Sequence, residues 1–450
     1  MSEFTTGMDI AGQRWEFVEI EGRYGERFSG EGIMRMFFTQ SRFRINSEWS
    51  DYIVAGKKML LNYEDCKSVH NFEHAIEQAH NAKYAICTPR ARVAIFIAIK
   101  SLMPDGGEVI LSPNTIADVI NMVICAGAKP VFCDIDPATG NLDPERVAER
   151  ISPATRMILV THIYGLMAPM DSLRELTRRH NLLLVEDAAQ AFGARQNGIY
   201  AGSGGDAGIY SFGMAKNLMA FQGGMLVTNH DDLAVTARNM LAQWPVARRI
   251  QLAKQILSCL CKDVATINPL FSHLLFPIFR IAYRKNIHAI TRLMETELDL
   301  NRKTTFPVHY KERISGVQAC VALKKIERVQ RDFEHRLACA RIYYEGLKDL
   351  PSLTLPPMLE DGSHVYNYYP IGCDERVDLR MHMLNKNCDA ALQHMKNTAD
   401  LPAFKDFYSD CPHARRWANR TIMLPNYSRC SFEQVHRNIV AIRDFMDTRK

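Results

Sequence analysis

In this 450-residue chain, a lysine, an acid and a glutamine are spaced in a way that supports imine chemistry. Lys216 lies in Ile209-Tyr-Ser-Phe-Gly-Met-Ala-Lys-Asn-Leu218, shortly before Gly223-Gly224. Asp187 and Gln190 close the run Leu182-Leu-Leu-Val-Glu-Asp-Ala-Ala-Gln190 upstream. A lysine amine can hold pyridoxal phosphate as a Schiff base if an anion keeps the pyridine nitrogen protonated and a cradle takes the phosphate. Asp187, at the carboxyl edge of a predicted strand where ligands of open α/β sheets bind, is the candidate anion. Gln190 is placed to hydrogen-bond the ring 3-hydroxyl. Taken singly, an Asp after a strand reads as a helix cap and a Lys as a solvated charge. The ordered set Asp187, Gln190, Ser211 and Lys216 is what points to a cofactor.

These residues need a scaffold, and the pattern from Val69 to Gly224 supplies one. Short β-branched runs alternate with amphipathic stretches. Strands are predicted at 84–87, 108–111, 130–134, 157–161, 182–186, 208–212 and 224–228. Helices are predicted at 91–102, 117–126, 144–151 and 170–179, with another beginning at Asp231 or Asp232. The alternation implies an α/β fold: a central, mostly parallel seven-stranded sheet flanked by helices. Residues 1–60 read as an N-terminal extension packing on the body, 61–244 as the large domain, 245–305 as an insert and 306–450 as a smaller α+β domain. In the last, one long helix is expected over 316–347 and a closing helix over 432–448.

The insert breaks the rhythm. From Arg248 to His288 it carries seven basic residues against one acid, Asp263, around an aromatic stretch holding Pro269 and Pro277. The prolines and polar residues disqualify it as a membrane span. Two readings stay open: a helical element packing on the body or across a dimer interface, or a peripheral contact with membrane, lipid or an acyl carrier through residues 248–288.

Composition excludes other classes. A formal charge of +5 with no basic run interleaved with aromatics argues against nucleic acid as a partner. The twelve cysteines form no C-x-x-C pair, so no metal is expected and reduced thiols are. Met1-Ser-Glu-Phe-Thr lacks the basic start and apolar core of a secretion signal, so a cytoplasmic protein is expected.

The chain resembles the DegT/DnrJ/StrS group of fold-type I aminotransferases, which typically aminate keto-sugars attached to nucleotides. The resemblance is carried by Gly127-Ala-Lys-Pro-Val-Phe-Cys-Asp-Ile-Asp136 with Thr139-Gly-Asn-Leu-Asp143, by Thr161-His-Ile-Tyr-Gly165, by Val185-Glu-Asp-Ala-Ala-Gln-Ala-Phe-Gly-Ala194 and by Ser211-Phe-Gly-Met-Ala-Lys-Asn-Leu218. It implies pyridoxal 5'-phosphate as cofactor, with Lys216 as the Schiff-base lysine, Asp187 at the pyridine nitrogen, Gln190 at the 3-hydroxyl and Ser211 at the phosphate. It places His162 at a strand end near the cofactor, where a satisfied structural histidine is the equal alternative. A sister branch that dehydrates has histidine in place of the lysine, and Lys216 argues against it. The resemblance also implies a homodimer with shared active sites.

Several positions depart from the family pattern. Ser-Gly-Thr before the first phosphate-binding helix reads Arg90-Ala91-Arg92, so arginine contacts replace the lost hydroxyl and glycine, or the site is weakened. The segment after Pro113 lacks the usual ring-stacking aromatic, and Lys311 stands where the Gly-x-Asn-x-Arg segment has Asn. Thr-Thr-Gly-Glu-Gly-Gly reads Met219-Ala-Phe-Gln-Gly-Gly224, more apolar than a sugar site requires. The expected activity is transfer of an amino group from an amino acid, glutamate by family habit, to a nucleotide-linked keto-sugar. The apolar loop and the insert motivate a rival acceptor, an apolar lipid-linked or acyl-carrier-linked ketone or aldehyde. A non-catalytic binding or regulatory member is the third alternative.

Overall fold

Seven buried apolar runs form one sheet. They are β1 (Tyr84–Thr88), β2 (Glu108–Leu111), β3 (Lys129–Phe132), β4 (Thr155–Thr161), β5 (Leu183–Asp187), β6 (Ala207–Ser211) and β7 (Gly224–Thr228), in the spatial order β1-β7-β6-β5-β4-β2-β3. β7 runs antiparallel to both of its neighbours and the other pairings are parallel, so the sheet is mixed but mostly parallel, as expected. The chain is described here from a computed structural model covering residues 38–291 and 299–449, with the backbone of three further strands at Thr6–Met8, Arg14–Ile20 and Arg23–Glu26. The expected packing of the N-terminal extension can therefore be followed only from Phe38. From there Phe38 meets His273 edge-on at 5.2 Å, and Arg42 pairs with Asp389 at 2.5 Å.

Alternate residues of each strand face two different helical layers. Ile86, Met157, Leu159 and Ile209 pack under α3 (Ala91–Leu102), α4 (Ala117–Cys125) and α7 (Asp231–Ala242). Ala85, Ile158, Val160 and Tyr210 face the other way, toward α2 (Cys66–His80), α5 (Pro144–Arg150) and α6 (Met170–His180). Burial on both faces explains why the strands read as continuous β-branched runs instead of alternating ones. α1 (Trp49–Leu61) precedes these layers.

The insert is helical. α8 (Arg249–Ala265) is followed by a short turn at Asn268–Leu270 and by α9 (Phe276–Arg284), the two arms meeting at 73°. Between them the helix widens into a π turn in which the Phe276 N–H reaches the Phe271 carbonyl, because Pro277 has no N–H to offer His273. No single helix among the described residues is long and apolar enough to cross a membrane.

The expected long helix over 316–347 is two helices, α10 (Gly316–Ile326) and α11 (Val329–Leu347). α10 begins with a capping box between Ser315 and Gln318 and places Val317, Val321 and Ala322 in the large domain's core. After the break at Glu327 and Arg328, Cys339, Tyr343 and Leu347 of α11 enter a separate core with α12 (Arg376–Asn385), α14 (Phe432–Asp447) and the antiparallel strands β8 (Tyr369–Gly372), β9 (Ala391–Leu392) and β10 (Thr421–Leu424). The change of packing partner requires the break. α13 (Pro412–Arg420) leads into β10.

Candidate active site

The carboxyl ends of the parallel strands bring the predicted residues to one edge. Thr161 is level with Asp187 across β4 and β5, Asp187 is level with Ile209 across β5 and β6, and Ser211 is level with Gly224 across β6 and β7. Gly224 is in turn level with Thr88, and a Cβ there would stand 2.4 Å from the Ala91 nitrogen. That closeness needs a glycine, and it sets Ser211 beside the amino terminus of α3. Arg90 is the N-cap of α3 but supplies no side-chain cap, and no acid lies in the first turn. Uncapped N–H groups at the positive end of a helix form an anion cradle.

Lys216 sits in the loop between β6 and β7. Its N–H donates to the Gly213 carbonyl (3.2 Å), and a Cβ on Gly213 would lie 3.7 Å from Ser211 Oγ and 3.9 Å from Lys216 Cγ, so the turn gathers the hydroxyl and the lysine stem. Among the described residues, no hydrogen bond or ion pair reaches Nζ. Burial, reinforced by the charge of Arg92, lowers the Lys216 pKa, while Asp187 opposes the shift. Burial raises the Asp187 pKa, held back by the Ala189 N–H at 3.1 Å and by the charge of Lys216. Asp187 is buried and Lys216 half-buried, and among the described residues no hydrogen bond or ion pair joins the two. Gln190 accepts from the Tyr164 N–H at 3.0 Å, which orients its amide and leaves the NH2 to donate.

His162 is fully enclosed. Its Nδ1 accepts from the Ala168 N–H (3.1 Å), so Nε2 carries the proton and donates to Glu186 (2.9 Å), which also takes the N–H groups of Gly202 and Gly204. Both ring nitrogens are committed inside the protein, and this geometry favours the structural reading of the residue.

The two arginines differ. Arg92 pairs with Asp118, as do Lys303 and the Tyr310 hydroxyl (2.9 Å). Arg90 has no carboxylate partner among the described residues. It lies over the Tyr310 ring at 4.8 Å, and with the Gln222 amide turned oxygen-inward its Nε and Nη2 donate at 2.8 and 3.1 Å. Arg90, Ala91 and Arg92 thus frame the cradle, with Arg92 paired to a carboxylate and Arg90, among the described residues, held only by neutral groups. Lys311 is exposed, one residue beyond Tyr310, and joins no ion pair among the described residues.

Sequence reasoning missed Tyr310 and Asp118, which organise the arginines, and His394. The last is partly buried, with a pKa lowered to about 4 by burial and by the charge of Lys216, so the small domain delivers an imidazole toward the lysine. Nothing local to His394 signals this, because the contact depends on how the chain returns from the other domain.

The apolar loop has a structural cause. Met219, Ala220 and Phe221 are 0% exposed. They pack with Leu252 and Cys259 of α8, Gln255 of α8 donates to the Phe221 carbonyl (3.2 Å), and the Tyr52 ring of α1 lies 5.6 Å from that of Phe221. Phe221 keeps a φ of +67°, the conformation that glycine provides at this place in the family pattern. The loop is apolar because the insert covers it. A separate concavity of about 540 Å³, lined by Gly107, Lys129 and Arg302 among others, opens at the opposite, amino-terminal edge of the sheet, away from these groups.

A mostly parallel α/β sheet with a smaller α+β domain and this edge defines a fold-type I aminotransferase. The chain belongs to the DegT/DnrJ/EryC1/StrS aminotransferase family, whose model matches residues 57–255 and 284–443 and so leaves out most of α8 and α9. It is 30% identical over 322 residues to the GDP-perosamine synthase of Caulobacter vibrioides, covering 71% of this chain and 72% of that one. It is 27% identical over 395 residues to the spore coat polysaccharide biosynthesis protein SpsC of Bacillus subtilis, covering 84% and 89%. Among solved structures, DesV of S. venezuelae in complex with a ketimine intermediate is similar with a TM-score of 0.69 at 25% identity, covering 88% of this chain and 94% of that one. The family depends on pyridoxal phosphate, and the protein is an enzyme.

Proposed function

We propose that the protein moves an amino group from an amino acid, glutamate, to a nucleotide-linked keto-sugar, using pyridoxal 5'-phosphate held on Lys216. The observation that carries this reading is the edge where Lys216, whose Nζ has no hydrogen bond or ion pair among the described residues, senses the charge of Asp187, with Ser211 and the α3 terminus beside them. The residues present fit the cofactor: an amine for its aldehyde carbon, Asp187 for the pyridine nitrogen, Gln190 for the 3-hydroxyl, and Ser211, Arg90 and the N–H groups at Ala91 and Arg92 for the phosphate. When bound, the cofactor supplies the electron sink that makes a neighbouring C–H bond acidic.

The chain does the rest. The lowered pKa of Lys216 leaves its amine neutral at a lower pH than an exposed lysine, so it can take a proton from one carbon and return it to another. Asp187 holds a proton at the ring nitrogen. Arg90 anchors the phosphate and Tyr310 holds Arg90 in place. The protein acts as a homodimer, with the exposed Lys311 directed to the partner's phosphate.

Keto-sugar nucleotides are the acceptors suggested by relatives named as a GDP-perosamine synthase and a dTDP-3-amino-3,4,6-trideoxy-alpha-D-glucose transaminase. The apolar loop gives no support to an apolar acceptor, since the side chains of Met219 to Phe221 are turned into the core. The test incubates purified enzyme with pyridoxal phosphate, glutamate and GDP- or dTDP-linked 4-keto and 3-keto sugars, and measures 2-oxoglutarate and the amino sugar by mass spectrometry. Formation of both is expected. Turnover of an acyl-carrier-linked ketone, with none of any keto-sugar nucleotide, would sink the reading.

A further inference from the structure

We propose that the outward face of the α8–α9 insert docks on an anionic phospholipid surface. Both helices already bury one face, through Leu252 and Cys259 in α8 and through Phe276 and Ala282 in α9. On a surface helix the opposite face is ordinarily polar. Here it is not. Ile250, Leu257 and Val264 recur every seven residues along the outside of α8, with Ile250 at 64% and Leu257 at 58% exposure. Leu270, Leu274, Ile278 and Ile281 continue an outward stripe along the second arm, with Leu274 at 54%.

Charge selects the occupant. Arg248, Arg249, Lys254, Lys262, Arg284 and Lys285 are exposed, and among the described residues none is in a salt bridge. The one acid of the segment, Asp263, is buried and already held by Arg429 (2.6 Å) and the Ser47 hydroxyl (2.7 Å). The exposed face is therefore apolar and purely cationic, the composition that lies in an anionic membrane interface. A second copy placed against this face about a twofold axis would set cations against the same cations, which disfavours self-association there. The arms meet at 73° and neither alone is long and apolar enough to cross a bilayer. Most of the stripe, from Leu257 to Ile281, also lies outside the family match, which leaves out residues 256–283. The inference does not depend on which acceptor the enzyme uses.

The test is co-sedimentation of the full-length, pyridoxal-phosphate-loaded protein with vesicles of phosphatidylcholine alone or mixed with phosphatidylglycerol, at low and high salt. Binding to the anionic vesicles that weakens with salt is expected. The double substitution Leu257→Glu/Leu274→Glu should abolish it while leaving aminotransferase activity unchanged, as both side chains point away from the core. Lys254→Glu/Arg284→Glu, which touches no core contact, should cut binding by roughly fivefold or more per cation. Absence of binding to either vesicle, equal binding to both, or binding untouched by these substitutions would overturn the proposal. So would a wild-type oligomer that Leu257→Glu/Leu274→Glu dissociates without any vesicle binding, which would make a second copy the occupant.

Discussion

The carboxyl edge of the sheet and the layer over its Lys216 loop answer to different constraints, although they are a few residues apart in sequence. At the edge each side chain is held by a specific geometry: Gly224 against Ala91, Gln190 on the Tyr164 N–H, Arg90 on Tyr310. In the cover, Met219, Ala220 and Phe221 need only fill the space beneath Leu252 and Cys259. An apolar residue beside a catalytic lysine therefore reports what covers the loop, and says nothing about the substrate until its direction is known.

The sharpest test of this division is at the edge. Lys216→Ala should lower amine transfer by more than about 10³-fold, the range lost when a positioned proton-transfer group is removed. The protein should still unfold at nearly the wild-type denaturant concentration, since among the described residues the lysine amine has no bonded partner to lose. If Lys216→Ala retained measurable turnover with the keto-sugar, the edge would not be the reaction centre.

In the cover the expected pattern reverses. Phe221→Ala removes a fully buried ring and should destabilise the protein by about 3–5 kcal/mol in denaturant unfolding. Turnover per folded molecule should change only a few-fold. Phe221→Gly loses the same packing but relieves the positive φ, a difference worth roughly 1 kcal/mol in its favour. A change in acceptor preference with stability intact would mean that this loop faces substrate after all.

The same contrast explains what could be read from the chain. Burial on both faces makes each strand of the sheet a β-branched run bounded by Gly, Pro or Asp, so all seven were legible to within about two residues. Asp187, Gln190, Ser211 and Lys216 were legible as candidates because each strand carries its last residue to the edge. The break between α10 and α11 was not, since no Pro or Gly marks Glu327 and Arg328 and the cause is a change of packing partner. Nor was the difference between Arg90 and Arg92, which rests on Asp118 and Tyr310, or the approach of His394 to Lys216. These depend on long-range contacts that leave no local period.

A smaller effect is expected where the two regions meet the cofactor cradle. In Gly224→Ala the new Cβ would fall 2.4 Å from the Ala91 nitrogen and 2.5 Å from the Arg90 carbonyl carbon, both backbone atoms that cannot rotate away. Separating β7 from the start of α3 should cost about 1–3 kcal/mol. If that cost falls on the cradle, fluorescence titration of cofactor-free protein should show pyridoxal phosphate affinity weakened by roughly tenfold or more. Loss of stability with unaltered affinity would place the phosphate elsewhere than the α3 terminus.

The smallest effect concerns the charge of Lys216 itself. Only the neutral amine attacks an aldehyde, and burial with Arg92 nearby lowers the Lys216 pKa from 10.5. In cofactor-free protein the rate of reaction with pyridoxal, which lacks the phosphate and so bypasses the cradle, should rise with pH and level off below the pH at which exposed lysines do. Arg92→Gln removes a neighbouring cation, which makes the ammonium form less costly, so the midpoint should move upward toward 10.5. The shift should be modest, because burial is the larger cause and Asp118, released from Arg92, still has Lys303 and Tyr310 to balance it. An unmoved midpoint would place Arg92 too far from Nζ to act on it and leave burial alone to set the lysine's reactivity, while a downward move would mean that freed Asp118 does not reach the lysine and that the Arg92 stem had been keeping water at the amine.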